Sequence, residues 1–271
     1  MPGTAWGTGC RMAVAQVARR HDVQRTRSAR VSFVLEVASV LALFAAYNVG
    51  RLIATGREHS ADGHAWELID LERWLRLPAE ATLQRLAFDV PHLVSLSDRY
   101  YVAVHFPVTI AVLVWLYLYR RPAYTWAKRA LIVATGVAMV IHIALPMTPP
   151  RLLNGLGMVD TGAHAGQSVY VGSPIGGLAN EYAAMPSLHV GWALLLAVVL
   201  IHTGRSRIRW SWLLHPIATT VVVVVTANHY LLDVAAGAAL VLVALWVTHR
   251  LWPVTPGESA HVSPEPAVSR R

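Results

Sequence analysis

Five side chains in the second half of the chain have the types and spacing needed to move a phosphoryl group. In ANHYLLDVAAGAAL, His229 and Asp233 stand four residues apart and stack on one face of a helix. A carboxylate so placed takes the proton of one imidazole nitrogen and leaves the lone pair of the other free to act as nucleophile or base. In EYAAMPSLHV, Ser187 and His189 fall where an apolar run begins. Pro186 suits a first helical turn, so the open N–H groups of that turn and the Ser187 hydroxyl form a site for an anion such as phosphate. His189 lies in the same turn, within reach of a departing oxygen. In ALPMTPPRLL, Arg151 follows three prolines on a stiff segment, from which a guanidinium can bridge two phosphate oxygens.

Taken singly, each of these has an ordinary structural explanation. Ser187 caps a helix, His189 rests among lipid headgroups with Arg151, and His229 with Asp233 forms a polar bridge between neighbouring helices. What sets the group apart is where the rest of the chain puts it.

The 271 residues are 55% hydrophobic and only 14% charged, with a mean hydropathy of +0.45, which disfavours a water-soluble globule. Six apolar segments, at roughly 31–53, 100–119, 129–147, 187–203, 211–227 and 229–251, approach the length of a membrane-crossing helix. The fold expected is all-α and polytopic, with six transmembrane helices. The net charge of +8 sits in short clusters flanking these segments, a pattern of cytoplasmic loops rather than of a nucleic-acid surface. Cys10, the only cysteine, allows no internal disulfide and no cysteine-based metal site.

Loop charges orient the segments. The first 30 residues, Arg120-Arg121 with Lys128-Arg129, RSRIR at 205–209 and His249-Arg250 all fall on one side of the alternation, which is then the cytoplasm. Residues 1–30 lack the apolar core of a signal peptide and read as a basic cytoplasmic arm. Residues 31–252 form the membrane domain. Residues 253–271, rich in Pro and Ser, read as a disordered cytoplasmic tail. The opposite, extracytoplasmic side of a plasma membrane receives 54–99, 148–185 and the turn at Asn228. In the first of these, Trp66, Ile69, Leu71, Trp74, Leu75, Leu83 and Leu86 recur at helical intervals, as in amphipathic helices lying in the interface. The same side holds Arg151, Ser187, His189, His229 and Asp233, although the charge count made no use of them.

In their order and positions, the arginine after the third segment, PSLH at the start of the fourth and HYLLD at the start of the sixth resemble the three-motif site of the type 2 phosphatidic acid phosphatase superfamily, over roughly residues 130–250. The resemblance implies that His229 attacks phosphorus to give a phosphohistidine, that Asp233 orients it and that His189 protonates the leaving group. Ser187 and Arg151 then grip the phosphate, with no metal and no cofactor. Two departures narrow it. The first motif is reduced to TPPRLL, and TTVVVVVTAN before His229 lacks the upstream arginine of the phosphatases. The third motif is in this more similar to the inositol phosphorylceramide synthase branch, which transfers head groups between lipids. Asn180, Tyr182 and Asn228 are candidates for the missing phosphate donors. The partner expected is a membrane lipid, with an alcohol such as inositol as acceptor and no nucleic acid.

Two other classes fit the composition. A small transporter would set ionisable residues deep in several spans, whereas these gather at one face. A membrane scaffold could carry the same site in an inactive form. His105 and Tyr100 in YYVAVHF, His142 and His215 read as pocket-lining or interhelical residues, and the run Ala235, Ala236, Gly237, Ala239 as a close-packing helix face.

Overall fold

The computed structural model describes residues 58–164 and 182–253, with three isolated helical positions, Glu36, Ala38 and Ala45, before them. The chain divides into two compact units, Met1–Asn48 and Val49–Arg271, and all the helices that carry the site belong to the second. The basic arm, the tail beyond Pro253 and Asn180 lie outside the described residues, as does the first apolar segment but for the three positions named.

The described residues form helices α1 (Glu58–Trp74), α2 (Glu80–Phe88), α3 (Leu93–Ala103), α4 (His105–Tyr119), α5 (Arg121–Ala144), the single turn α6 (Thr161–His164), α7 (Leu188–Thr203), α8 (Leu214–Val225) and α9 (Leu231–Leu251). A 3-10 helix over Arg207–Leu213 leads into α8. Among them there is no strand, only an isolated parallel bridge between Met147 and Ala183.

Among the described residues three stretches, where six were expected over the whole chain, are long and apolar enough to cross a membrane: Arg121–Ala144, Arg207–Val225 and Leu231–Leu251. A fourth is counted when α3 and α4, which meet at a 46° bend, form one broken span. α7 has the composition but not the length. Its 16 residues, closed by Ser187 and Gly204, rise about 24 Å. The span expected from residue 129 begins earlier, at Arg121, because Pro122 fits its first turn and the guanidinium of Arg121 lies over the Tyr117 ring at 3.4 Å.

α4, α5, α7 and α9 enclose the main core, where Leu116, Ala130, Ala134, Leu195, Val199 and Val241 are all fully buried. α5 presents alanines at 123, 127, 130, 134 and 138, all buried, a small-residue stripe that lets its neighbours approach closely. The packing face of α9 is Asp233, Gly237, Val241, Ala244 and Leu245, whereas Ala235 and Ala239 are exposed. Gly237 is where α9 meets the start of α7: a Cβ there would fall 2.1 Å from the Ser187 carbonyl oxygen. At Gly191 a Cβ would meet Val241 Cγ2 at 3.0 Å, so the two glycines seat one helix against the other.

α1 and α2 form a pair of helices between the first and second apolar segments, as expected, but with a different buried face. Ala61, Ala65, Leu68, Ile69 and Glu72 of α1 turn inward with Glu80, Gln84 and Ala87 of α2, while Leu71, Trp74, Leu75 and Leu86 are exposed. A second cluster joins α1 to the segments on either side of the site, through Ala65, Leu68, Ile69, Met147, Leu153, Ala184 and Tyr230.

Candidate active site

His229 lies in the short connection between α8 and α9, and the chain around it explains how so tight a turn is held. Ala227 takes a left-handed conformation, φ 55°, which costs an alanine about 1–2 kcal/mol. Its carbonyl accepts the Arg151 N–H at 2.8 Å, and the N–H groups of Asn228 and His229 both donate to Val223 O, at 2.9 and 3.2 Å. The turn is thereby tied to the TPPRLL segment before α9 begins.

Nδ1 of His229 faces two acceptors, Ala184 O at 3.0 Å and Asp233 Oδ2 at 3.3 Å. With acceptors on that side, the ring proton sits on Nδ1 and the lone pair on Nε2. Nε2 lies 3.4 Å from Nδ1 of His189, so in this contact His189 must be the donor. The carboxylate four residues away and the carbonyl of the segment before α7 together orient the ring, but not from one helix face as expected: α9 begins at Leu231 after the extended N-cap Tyr230, so His229 meets Asp233 from the turn ahead of the helix. Asp233 is fully buried, and its Oδ1 has no hydrogen-bond partner among the described residues.

α7 begins one step later than expected. Leu188 is its first residue, Ser187 is the extended N-cap whose hydroxyl accepts from Val190 N–H at 3.5 Å, and Pro186 lies outside, after a cis peptide bond. The Ser187 N–H is taken by Asp233 O at 3.0 Å, a backbone link between the two motifs. Ser187 is fully buried. His189 is packed by rings: Tyr101 at 4.7 Å, His105 at 5.1 Å and Phe106 at 5.7 Å between centroids.

Arg151 reaches the turn from the other side. Its Nε donates to Asn228 Oδ1 at 3.1 Å and its Nη1 to Asp160 Oδ2 at 3.3 Å. Asn228 in turn donates through Nδ2 to the hydroxyl of Thr226 at 2.8 Å and to its carbonyl at 3.3 Å, so this side chain orients the guanidinium next to His229. Tyr182 lies in the strand-like contact with Met147, whose N–H its carbonyl accepts at 2.8 Å. The structure thus gathers His229, Asp233, His189, Ser187, Arg151 and Asn228 around one turn.

Residues not singled out from the sequence join them. Thr161 donates to Asp98 Oδ1 at 2.7 Å, next to Asp160, and a groove of about 430 Å³ lined by Phe88, Val90, Asp98, Val159 and Thr161 opens there. Tyr101 stands four residues before His105, the expected pocket-lining histidine, a spacing that could have marked both as facing one ring. The carboxylate of Glu80 accepts Leu231 N–H at 3.1 Å and that of Glu72 accepts Leu232 N–H at 2.7 Å, capping the helix that carries Asp233.

Comparison with characterised proteins and with solved structures returns no match. The family comparison does: the model of the PAP2 superfamily matches residues 66–247, which take in most of α1, both histidine motifs and most of α9, and the chain therefore belongs to the PAP2 superfamily.

Proposed function

We propose that the protein is a lipid phosphatase or phosphotransferase working through a phosphohistidine at His229, with Asp233 orienting that ring, His189 as general acid and Arg151 and Ser187 at the phosphate. Family membership suggests the reaction class. The observation that carries the finer reading is the polarity of the His229 ring, with Nδ1 held by Ala184 O and Asp233 and Nε2 turned to His189.

In the first step the Nε2 lone pair forms the N–P bond as the P–O bond to the leaving group breaks, and His189, as imidazolium, gives that oxygen its proton. In the second, water or an alcohol attacks phosphorus, its proton passes to His189, and the N–P bond breaks to restore His229. An in-line arrangement of nucleophile, phosphorus and protonated leaving oxygen needs roughly 6–7 Å between the two imidazole nitrogens. They stand 3.4 Å apart, so the bound phosphoryl group parts them. Arg151, fixed through Asn228 and Asp160, brings positive charge to the side of the turn where charge develops.

The second step favours transfer over hydrolysis in this reading. TTVVVVVTAN supplies no arginine before His229, and a phosphodiester monoanion needs less neutralisation than a monoester dianion. The groove beside Asp160 offers room and a carboxylate, Asp98, for the hydroxyls of an acceptor such as inositol. The site faces the extracytoplasmic side of the plasma membrane, with both termini in the cytoplasm.

The experiment is to incubate purified protein with radiolabelled lipid phosphates and phosphodiesters, trap the phosphoenzyme under alkaline conditions, and measure transferred product against free phosphate as acceptor alcohol is raised. A label lost in His229→Ala and a product ratio that rises with acceptor are expected. A label retained in that variant overturns the nucleophile, and fast monoester hydrolysis indifferent to every acceptor overturns the transferase.

A further inference from the structure

We propose that Glu72 and Glu80 form a carboxyl pair sharing one proton, and that this pair positions the catalytic turn by holding the N-terminus of α9. The proposal rests on the reading of His229 and Asp233 given above. Both glutamates are 4% exposed and on different helices, and their carboxyls meet at neighbouring N–H groups of the first turn of α9. One oxygen of each accepts a backbone N–H there, Leu231 to Glu80 and Leu232 to Glu72. These two residues stand between His229 and Asp233, so whatever sets the first turn sets the spacing of the dyad.

The second oxygen of Glu72, Oε2, is buried and has no donor among the described residues. A proton between the two carboxyls supplies that donor and removes one of two like charges that would otherwise be buried side by side. The charge that remains meets the positive end of the helix dipole. The ionisable groups facing the pair are Asp233 and Tyr230 of the α9 end, and Asp62 of α1 stands beyond Tyr230. Loss of the shared proton therefore sets two carboxylates against each other and against Asp233. Burial, and next the Glu80 carboxyl against it, push Glu72 up to about 8.

The sign follows from that shift. An unfolded glutamate releases its proton near pH 4.3, about the ordinary value, whereas the folded pair keeps it until about pH 8. The stability the pair contributes is complete below the first of these and is lost as pH rises to the second.

The test compares wild type, Glu72→Gln and Glu72→Ala in detergent by Tm between pH 5 and 9.5, and by turnover of nitrophenyl phosphate, whose good leaving group makes little demand on His189. The amide of Glu72→Gln still accepts from Leu232 and donates to Glu80 but has no proton to lose. Its Tm should gain on wild type as pH rises from about 5 to 8 and level off above. Wild-type turnover should fall about tenfold per unit above pH 8, with that limb missing in Glu72→Gln, while Glu72→Ala loses about tenfold at pH 7 and the Gln variant recovers most of it. A Tm difference that does not change with pH overturns the shared proton. An alkaline limb that coincides in wild type and Glu72→Gln, or a Gln variant as impaired as the Ala one, overturns the positioning role. A wild type with no turnover of nitrophenyl phosphate or of the corresponding nitrophenyl phosphodiester, and no phosphoenzyme from either, overturns the enzymatic reading, and the Tm series still decides the pair.

Discussion

Replacing Gly237 by alanine tests how tightly the two histidine motifs are coupled. The new methyl carbon would stand 2.1 Å from the Ser187 carbonyl oxygen, 2.9 Å from its carbon and 3.1 Å from its nitrogen. A carbon and a carbonyl oxygen rest at about 3.3 Å, so α7 and α9 must part by about 1 Å. The atoms in the way belong to backbone, and no side chain can swing aside. Overpacking of this kind costs about 1–3 kcal/mol, which outweighs the roughly 1 kcal/mol that alanine gains over glycine within a helix. Ser187 stands two residues before His189 and Gly237 four after Asp233, so the same displacement separates His189 from His229, the proposed acid and nucleophile. A misplacement of that size lowers turnover by about 10²-fold. The assay is Tm in detergent together with turnover of the best lipid substrate, with Gly136→Ala as control, since a Cβ at Gly136 meets nothing within 4 Å. Gly237→Ala should lose about 2–8 °C and most of its activity while Gly136→Ala keeps both. A Gly237→Ala protein with the Tm and turnover of wild type would refute the close approach as a requirement of the site, and an equal loss in Gly136→Ala would trace the effect to something other than this contact.

His189→Ala should spare nitrophenyl phosphate relative to lipid substrates, because a good leaving group needs no proton; equal loss on both kinds would remove its role as acid. A cysteine at exposed Asn154 should react with a membrane-impermeant thiol reagent in intact cells before Cys10 does, and the reverse order would invert the topology. Activity should survive EDTA, and loss on chelation with rescue by one divalent ion would end the phosphohistidine scheme. Asn228→Ala should lower affinity for the phosphate substrate more than it lowers Tm, since the side chain orients Arg151 at the edge of the site; a large fall in Tm with unchanged KM would make it a turn residue only.

The pairing of His229 with Asp233 was legible in the sequence because it is local, but the helix face expected to carry both carries only Asp233: His229 stands before the extended N-cap Tyr230, and its ring reaches the carboxylate from the turn. The approach of His189 to His229, 40 residues away, followed only from counting apolar segments and sorting their flanking charges, which needs no knowledge of packing. Glu72, Glu80 and Gln84 were not legible, since in sequence they look like the wet side of an interfacial helix. Only the tertiary arrangement shows that this polar edge turns inward, where Gln84 donates to Val159 O at 2.9 Å and Val225 O at 3.0 Å and the glutamates cap α9. Pro186 misled, because Ser187, the better N-cap, takes the capping position and the helix opens at Leu188, two residues past the proline. Of the small-residue face expected on α9, Gly237 packs as read, but Asp233 and Gly237 set the helix rotation and leave Ala235 and Ala239 outside.

The shortness of α7 bears on the membrane around the enzyme. Its rise of about 24 Å is less than a hydrocarbon layer of about 30 Å, while α5 and α9, at 24 and 21 residues, reach that thickness. A helix with the proposed catalytic groups at one end and too little length behind it draws the lipid surface toward itself or sinks its tip below that surface. Either way, in the reaction proposed above the scissile phosphate would meet His189 nearer the bilayer midplane than its neighbours in the leaflet, and the leaflet need bend only locally to deliver it. Turnover should then respond to acyl-chain length, with thin bilayers presenting the phosphate at the depth of the histidines and thick ones holding it above them.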